Sequence, residues 1–235
     1  MGLKANSTKY LLCCVFFVSY FLHTSVNAQD KPKHLTFSYI DHPVIIKDII
    51  PIIERTYLEL GIPIDLMMFP THRNLMAVES EEVDGDVGFS ELGLRGYDTL
   101  IKIEPSMVTA SFVLLCLPDV VCSEEVLFDD TNAIVTTDTL LKSLNTFYSK
   151  PLSDAFYKIN NLSVIANLIL GKRFQYGVYV AGENQDLGAE MQHLKVIELF
   201  KAQTFHTVHK KYAFMKNEIS AALKRSLKIA QVQHN

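Results

Sequence analysis

The feature that most constrains this chain is a repeated alternation of strand-like and helix-like segments between residues 34 and 230. Short apolar runs rich in β-branched and aromatic residues predict strands, and longer runs with apolar residues every three or four positions predict helices. The predicted strands cover 34–40, 63–69, 84–89, 100–103, 108–117, 133–137, 176–180 and 196–208. The predicted helices cover 44–60, 72–80, 139–148, 162–170, 184–194 and 217–230. This alternation predicts an α/β fold with a mostly parallel sheet.

A proline and a glycine define the limits of the first predicted helix. We expect Asp48 to cap it, so that Pro51 falls in the first turn, where proline is tolerated. Gly61 is expected to end the same helix, because glycine readily adopts the left-handed conformation that follows a helix.

The N-terminal 28 residues have the three parts of a secretory signal peptide. Two lysines lie in the first ten residues, an apolar run covers 11–22, and small residues precede a cleavage site after Ala28. The apolar run has about 12 residues, whereas a membrane anchor needs roughly 20, so an uncleaved anchor is the weaker alternative. We therefore expect a periplasmic protein with its signal peptide removed.

Composition excludes several classes of function. Removal of the first 28 residues leaves 207 residues, enough for one large domain or two smaller lobes. Since 20 basic and 26 acidic side chains remain, the formal charge is −6, which does not suit a nucleic-acid-binding protein. No later apolar run reaches about 18 residues, so we expect the mature protein to be soluble.

The mature chain retains two cysteines, Cys116 and Cys122. An even number of cysteines in an exported chain predicts a disulfide, here closing a loop of five residues. The alternative is a pair of unpaired, buried thiols that behave as small apolar side chains.

The remaining chemical groups do not form a recognisable cofactor or metal site. The sequence lacks a H-E-x-x-H motif, a Cys/His cluster with metal-ligand spacing, a phosphate-binding glycine-rich loop and a G-x-S-x-G nucleophile elbow. His206 and His209 are interpreted as scattered surface histidines. Asp84 and Asp86 are interpreted as a turn and a strand start, although their spacing resembles a catalytic pair. We expect neither a metal ion nor a cofactor.

Four parts of the chain, taken in order, carry a resemblance to a known family. They are 35–61; 69–75 (FPTHRNL) with 83–87 (VDGDV); 100–105 (LIKIEP); and 170–176 (LGKRFQY) with 207–212 (TVHKKY) and the final helix. Their order and spacing resemble the extracytoplasmic solute-binding proteins of family 3, which include the amino-acid-binding components of bacterial importers. The resemblance covers nearly all of residues 33–230.

The resemblance implies a two-lobed, periplasmic-binding-protein-like fold of type II, with the lobes joined by two crossover strands. Lobe one would hold 29–115 and 205–235, and lobe two would hold 116–204. The lobes would close like a hinge on a solute. The implied function is binding of a small polar molecule, an amino acid or related carboxylate, by a monomer without enzymatic activity. The partner would be a membrane importer or sensor.

Two alternatives to transport remain open. One is a ligand-sensing or protein-interaction module that has kept the fold, and the other is a dehydratase-like enzyme, since related two-lobed folds include dehydratases. Prephenate or arogenate turnover would identify the enzyme.

Candidate site residues in lobe one follow its predicted strands, because ligands in α/β sheets lie beyond the carboxyl ends of strands. An arginine can bind a carboxylate through its planar guanidinium, although Arg73 also suits the surface of a helix, and Asp41 can either accept from a cation or cap a helix. The candidates in this lobe are Tyr39, Asp41, Phe69, Thr71, Arg73, Phe89 and Ser90.

Phe89 is the main departure from the family. The resemblance implies an arginine near the end of this strand to bind the α-carboxylate of an amino acid. Phenylalanine there suits a less acidic or more apolar solute, or a protein that has lost solute binding.

In lobe two, the candidates are Thr136, Thr137 and Arg173. The two threonines precede a predicted helix, whose free N–H groups can bind an anion. The alternative is that Thr137 or Asp138 caps the helix. Arg173 matches a family position only in part, because Gln175 stands where relatives have aspartate.

Overall fold

In the computed structural model, which describes residues 30–182 and 191–233, helices flank one eight-stranded sheet. The strands are β1 Leu35–Tyr39, β2 Ile64–Met68, β3 Gly85–Ser90, β4 Leu100–Cys116, β5 Ile134–Thr137, β6 Phe156–Ile159, β7 Tyr176–Gly182 and β8 Lys195–His209. The helices are α1 Ile50–Glu59, α2 Thr71–Glu79, α3 Asp138–Phe147, α4 Ile165–Leu170 and α5 Lys216–Gln233. The predicted α/β class is confirmed.

Two predictions fall wholly or mainly on residues outside this description. The signal peptide over 1–28 lies outside the described residues, as does most of the helix predicted over 184–194. Within the described residues, no helix combines the length and apolar character needed to cross a membrane.

The sheet has the strand order β2-β1-β3-β8-β4-β7-β5-β6. The outer groups are parallel, as predicted, but β4 and β8 run antiparallel to their neighbours and to each other. The prediction of a mostly parallel sheet is therefore wrong for its centre. The two strands pair from Leu100 opposite His209 to Cys116 opposite Lys195, so the segments predicted as separate strands over 100–103 and 108–117 form one strand.

The described residues form two large hydrophobic cores. The first contains Leu35, Phe37, Ile53, Tyr57, Ile103 and Val208. The second contains Phe112, Leu114, Ile134, Leu144, Ile165 and Phe200. We call β1–β3 with α1, α2 and α5 the first half, and β5–β7 with α3 and α4 the second half. Because β4 and β8 contribute to both cores, they link the halves, while the lobe boundaries given above stay predictions.

The start of α1 differs from the prediction. The backbone is already helical at Val44, and Ile45–Ile49 form a π-helical turn before α1. Asp48 lies inside this turn, so its predicted capping role is wrong. Pro51 is in the first turn of α1, as predicted, and Gly61 follows the helix with φ +68°.

The disulfide between Cys116 and Cys122 is present at the end of β4, which confirms that prediction. The short strand β6 was not predicted. Its four residues lie at the edge of the sheet, and their half-exposed side chains lack a clear apolar alternation.

Candidate functional site

Four strands from the two halves end at one cavity, which we call the inner cavity. It is lined by Ile40 and His42 after β1, by 88–90 at the end of β3, by Thr137 at the end of β5 and by 180–182 at the end of β7. This position agrees with the general location of ligands beyond the carboxyl ends of strands in α/β proteins.

The middle parts of the two linking strands also line the inner cavity. Val108, Ala110 and Phe112 come from β4, and Thr204 comes from β8. The cavity has a volume of about 80 Å³. Since one water molecule needs roughly 10–15 Å³ of such space, the cavity has room for several waters or one compact organic molecule.

Hydrogen bonds from three side chains connect the halves around the inner cavity. His42 Nε2 lies 2.9 Å from the carbonyl oxygen of Val180. Thr71 Oγ1 donates to the carbonyl oxygen of Asn160 at 2.9 Å, and Thr139 Oγ1 donates to that of Thr71 at 3.2 Å. These contacts hold the strand ends of the two halves together.

A second cavity of about 200 Å³ adjoins the first, and we call it the outer recess. The two share Ile40, Thr71 and Leu162. The outer recess is more polar, because Asp41, Asn160 and Asn161 lie in its wall. Asp41 is exposed and accepts a hydrogen bond from Ser163 at 3.4 Å.

The structure brings six of the predicted site residues to these cavities. Thr71, Phe89, Ser90 and Thr137 line the inner cavity, and Asp41, Phe69 and Thr71 line the outer recess. Their participation in binding stays a prediction.

The other four predicted site residues border neither cavity. Tyr39 packs against the first core, and Thr136 is fully buried with its hydroxyl donating to a carbonyl of β7 at 3.4 Å. Arg73 Nη2 pairs with a glutamate carboxylate at 3.3 Å on the protein surface. Arg173 is exposed beyond the end of α4.

A buried polar network lies behind the end of β3. The carboxylate of Asp86 accepts hydrogen bonds from Ser38 Oγ at 2.9 Å, from the Asn74 amide and from the Gly88 N–H at 2.9 Å. Complete burial raises the pKa of Asp86 to about 6, and the three donors limit the rise. Since Gly88 precedes Phe89, this network fixes the backbone that carries Phe89.

His206 extends the network to α1. The prediction that His206 and His209 lie on the surface is wrong, because both side chains are buried. The Nδ1 atom of His206 lies 2.8 Å from the Asp86 carbonyl oxygen, which can only accept, so Nδ1 carries the proton. Its Nε2 therefore accepts from the Tyr57 hydroxyl at 2.8 Å. Burial lowers the pKa of His206 to about 4, and the side chain is neutral at pH 7.

Sequence reasoning missed several cavity residues. Val180 takes part through its backbone carbonyl, and Gly182 has no side chain, so neither offers a chemical pattern to recognise. Thr204 lines the cavity and lies at the predicted boundary between the lobes, a position where a ligand contact is expected. His42 follows the first strand and was identifiable by the same strand-end rule that selected Asp41.

Within the part of the chain that the structure describes, no group of three or more His, Cys, Asp or Glu residues is arranged to hold a metal ion.

No family model matches this sequence, and no curated protein matches it. Solved structures do match. The truncated, arginine-bound ArgBP of T. maritima has 10% identity and a TM-score of 0.63, with 82% of this chain and 96% of that chain covered. The P235GK mutant of the same protein has 10% identity and a TM-score of 0.66, with 85% and 91% covered.

A third structural neighbour is the ancestral amino acid-binding protein AncCDT-1, a precursor of cyclohexadienyl dehydratase. It has 13% identity and a TM-score of 0.64, with 86% of this chain and 95% of that chain covered. The chain has the fold of the two-lobed periplasmic binding proteins. The chain shares little sequence with these three neighbours, so the likeness extends to the fold alone.

Proposed function

We propose that this chain is an exported, non-enzymatic solute-binding protein that holds a small molecule between its halves and delivers it to a membrane importer. The observation that carries the proposal is the inner cavity, where strand ends of both halves meet. Neighbours with the same fold support it, because one is described as arginine-bound and another as amino acid-binding.

The connections between the halves support a hinge mechanism. β4 and β8 run through both halves as a paired ribbon, and the hydrogen bonds of His42, Thr71 and Thr139 bridge the cavity. Opening of the cavity breaks these bonds, together with those from Ser163 to Asp41 and from the Thr71 N–H to Asn160, while the ribbon stays paired. A solute that contacts both halves then favours the closed state.

The chemistry of the inner cavity supports binding rather than catalysis. General acid–base catalysis needs a group that can exchange a proton with its substrate. Of the residues that line this cavity, His42 alone is an acid or base near neutral pH, and both of its ring nitrogens take part in hydrogen bonds within the protein.

A thermal-shift screen tests the proposal. Purified protein is heated with amino acids, amines, carboxylates and neutral metabolites. A solute present at 100 times its dissociation constant should stabilise the protein by about 2.7 kcal/mol. Stabilisation by no compound would contradict the proposal.

A pair of variants locates the binding site. Ala181 is buried in the cavity wall, so Ala181→Phe should fill the space and abolish the shift. Ala213 is exposed after β8, so Ala213→Phe adds the same ring without touching the cavity and should leave the shift unchanged. Equal shifts in both variants would place binding elsewhere.

A further inference from the structure

The wall of the inner cavity carries no formally charged side chain. Its lining includes neither Asp, Glu, Lys nor Arg, and its larger members are the hydrocarbon side chains of Ile40, Ile45, Ile49, Leu140 and Leu162 and the rings of Phe89 and Phe112. A charged group needs a counter-ion or several hydrogen bonds when it leaves water.

His42 does not supply a positive charge. Its Nδ1 accepts from the Val44 N–H at 3.3 Å, so the proton resides on Nε2, which donates to Val180. Burial is the largest influence on its pKa and lowers it, so the ring is neutral at pH 7. The charged groups that face it are Asp41 and Asp48, whose weaker effect raises its pKa.

Three of the six side-chain hydroxyl groups in the wall already donate within the protein. Thr71 and Thr139 donate to carbonyl oxygens across the cavity, and Ser143 donates to the carbonyl of Thr139 at 3.2 Å. Ser90 and Thr137 accept from backbone N–H groups, which leaves their hydroxyl protons to donate. The wall thus offers a ligand a few neutral donors.

At the two helix starts beside the cavity, some of the N–H groups already have partners. Helix N-termini attract anions through their free N–H groups. At α3, Thr137 Oγ1 accepts from the Leu140 N–H, and the carboxylate of Asp138 lies in the first turn. At α2, the Thr71 N–H is directed at the Asn160 carbonyl at 3.4 Å. An incoming carboxylate would compete with these partners.

Phe89 is firmly seated at the position where the family resemblance implies an arginine. A Cβ atom on Gly93 would lie 2.4 Å from the Phe89 ring, so the absence of a side chain at residue 93 lets the ring pack there. The ring is 6% exposed, and the Asp86 network holds the preceding residue. The apolar character of this wall is therefore built into the fold.

From these observations we propose that the inner cavity selects an uncharged, compact ligand of mainly hydrocarbon character with one hydrogen-bond acceptor. This inference rests on the proposed solute-binding function and names its ligand class. An engineered apolar cavity of about 150 Å³ in another protein binds benzene, which has six ring atoms, so 80 Å³ by itself suits roughly three non-hydrogen atoms. A larger ligand therefore also extends into the adjoining outer recess of about 200 Å³.

Three probes with one carbon skeleton test the proposal on the unmodified protein near pH 7. Isovaleramide is neutral, isovalerate is an anion and isoamylamine is a cation. We expect isovaleramide to bind at least tenfold more tightly than either ion in ligand-observed NMR titrations, with Ala181→Phe abolishing its binding. Equal or tighter binding of isovalerate would overturn the neutral class, and tighter binding of isoamylamine would do the same by implicating Asp41.

Two substitutions of Phe89 test whether the charge of the cavity wall determines the preference between isovaleramide and isovalerate. Phe89→Arg introduces a cation into the wall and should shift the preference toward isovalerate by at least tenfold, whereas Phe89→Leu keeps the wall neutral and should not. Near-UV circular dichroism checks that each variant folds, and the titrations of the unmodified protein test the neutral class even if a variant does not fold.

The outcomes separate this inference from the proposed function. A charged compound that binds in the screen and is excluded by Ala181→Phe refutes the neutral class while solute binding stands. If neither the probes nor the screen gives any bound compound, the proposed function itself falls.

Discussion

The two halves of the molecule share an alternation of strands and helices but differ in what they bury. Among the described residues, the buried carboxylate and imidazole groups belong to the first half and its linking strand: Asp86, His42, His206 and His209. The buried polar side chains of the second half carry only hydroxyl groups, and its core includes the stacked rings of Phe112 and Phe200.

The apolar interior of the second half and the hydrogen-bonded interior of the first half have different structural roles. Apolar burial is non-directional and stabilises in proportion to area, so the second half gains stability without fixing any one atom. Hydrogen bonds are directional, so the Asp86 network fixes the end of β3 where Phe89 enters the cavity wall. We infer that burial of the Asp86 carboxylate lowers the stability of the first half but fixes the position of Phe89 in the cavity wall.

The largest predicted effect comes from the apolar second core. Leu114 is fully buried and does not line either cavity, so Leu114→Ala should lower the free energy of unfolding by about 2–5 kcal/mol without changing ligand affinity. Urea denaturation followed by circular dichroism measures the loss.

Leu58→Ala is the control for this substitution, because Leu58 is 79% exposed and its truncation should cost less than about 0.5 kcal/mol. The described residues from Pro32 onward form one compact unit, so Leu114→Ala should shift a single transition. Two separate transitions would show that the halves unfold independently.

The polar network of the first half predicts opposing pH effects. Above its folded pKa of about 6, Asp86 must ionise in the core, so its contribution to stability grows as the pH falls from about 6 toward 4. His206 has a folded pKa of about 4 and a usual value of 6.5, so protonation of the unfolded chain removes stability over nearly the same range. Each effect is about 3 kcal/mol, at about 1.4 kcal/mol per pKa unit.

Single variants separate these opposing effects. Relative to the unmodified protein, His206→Gln should gain stability and Asp86→Asn should lose it as the pH falls from about 6.5 to 4. Glutamine can still accept from Tyr57 and donate to the Asp86 carbonyl, and the Asn74 Oδ1 atom, which has no partner, can accept from the new amide. Parallel stability curves for all three proteins would refute the assigned protonation states.

Removal of the disulfide, which adjoins the second half, should have a smaller effect on the free energy of unfolding. Serine at both Cys116 and Cys122 should lower the free energy of unfolding by about 2 kcal/mol, because the bridge closes only a short loop. Denaturation with and without reductant measures this, and the double variant should not respond to reductant. An equal response of both proteins would contradict the contribution of the bridge.

The sequence was most informative where periodicity and strand ends coincide. The class of fold follows from alternating hydrophobic periods, and Thr71, Phe89, Ser90 and Thr137 were found because they follow strands. The antiparallel centre was not predictable from local pattern, because pairing between β4 and β8 joins residues about 80–110 positions apart.

Errors within the site have a simple geometric origin. Successive side chains of a strand point to opposite faces, so a residue next to one that lines the cavity can face away from it. Thr137 lines the cavity and Thr136 faces the interior. Ile40 lines it, whereas the predicted Tyr39 packs in the first core. The sequence lacked the strand register needed to choose between them.

Arg73 gives the smallest expected effect and a direct contrast with Phe89. Its guanidinium pairs with Glu82 at 3.3 Å and lies 5.6 Å from the centre of the Phe69 ring, and the arginine side chain is 53% exposed. Exposed pairs of this kind contribute 0 to about 1 kcal/mol, so Arg73→Ala should change neither the free energy of unfolding by more than about 0.5 kcal/mol nor the affinity for isovaleramide. Arg73→Lys, which keeps the charge, is the matched control in the same titration. A tenfold loss of affinity for isovaleramide in Arg73→Ala but not in Arg73→Lys would contradict this prediction. It would show that the positive charge of Arg73 contributes to ligand binding.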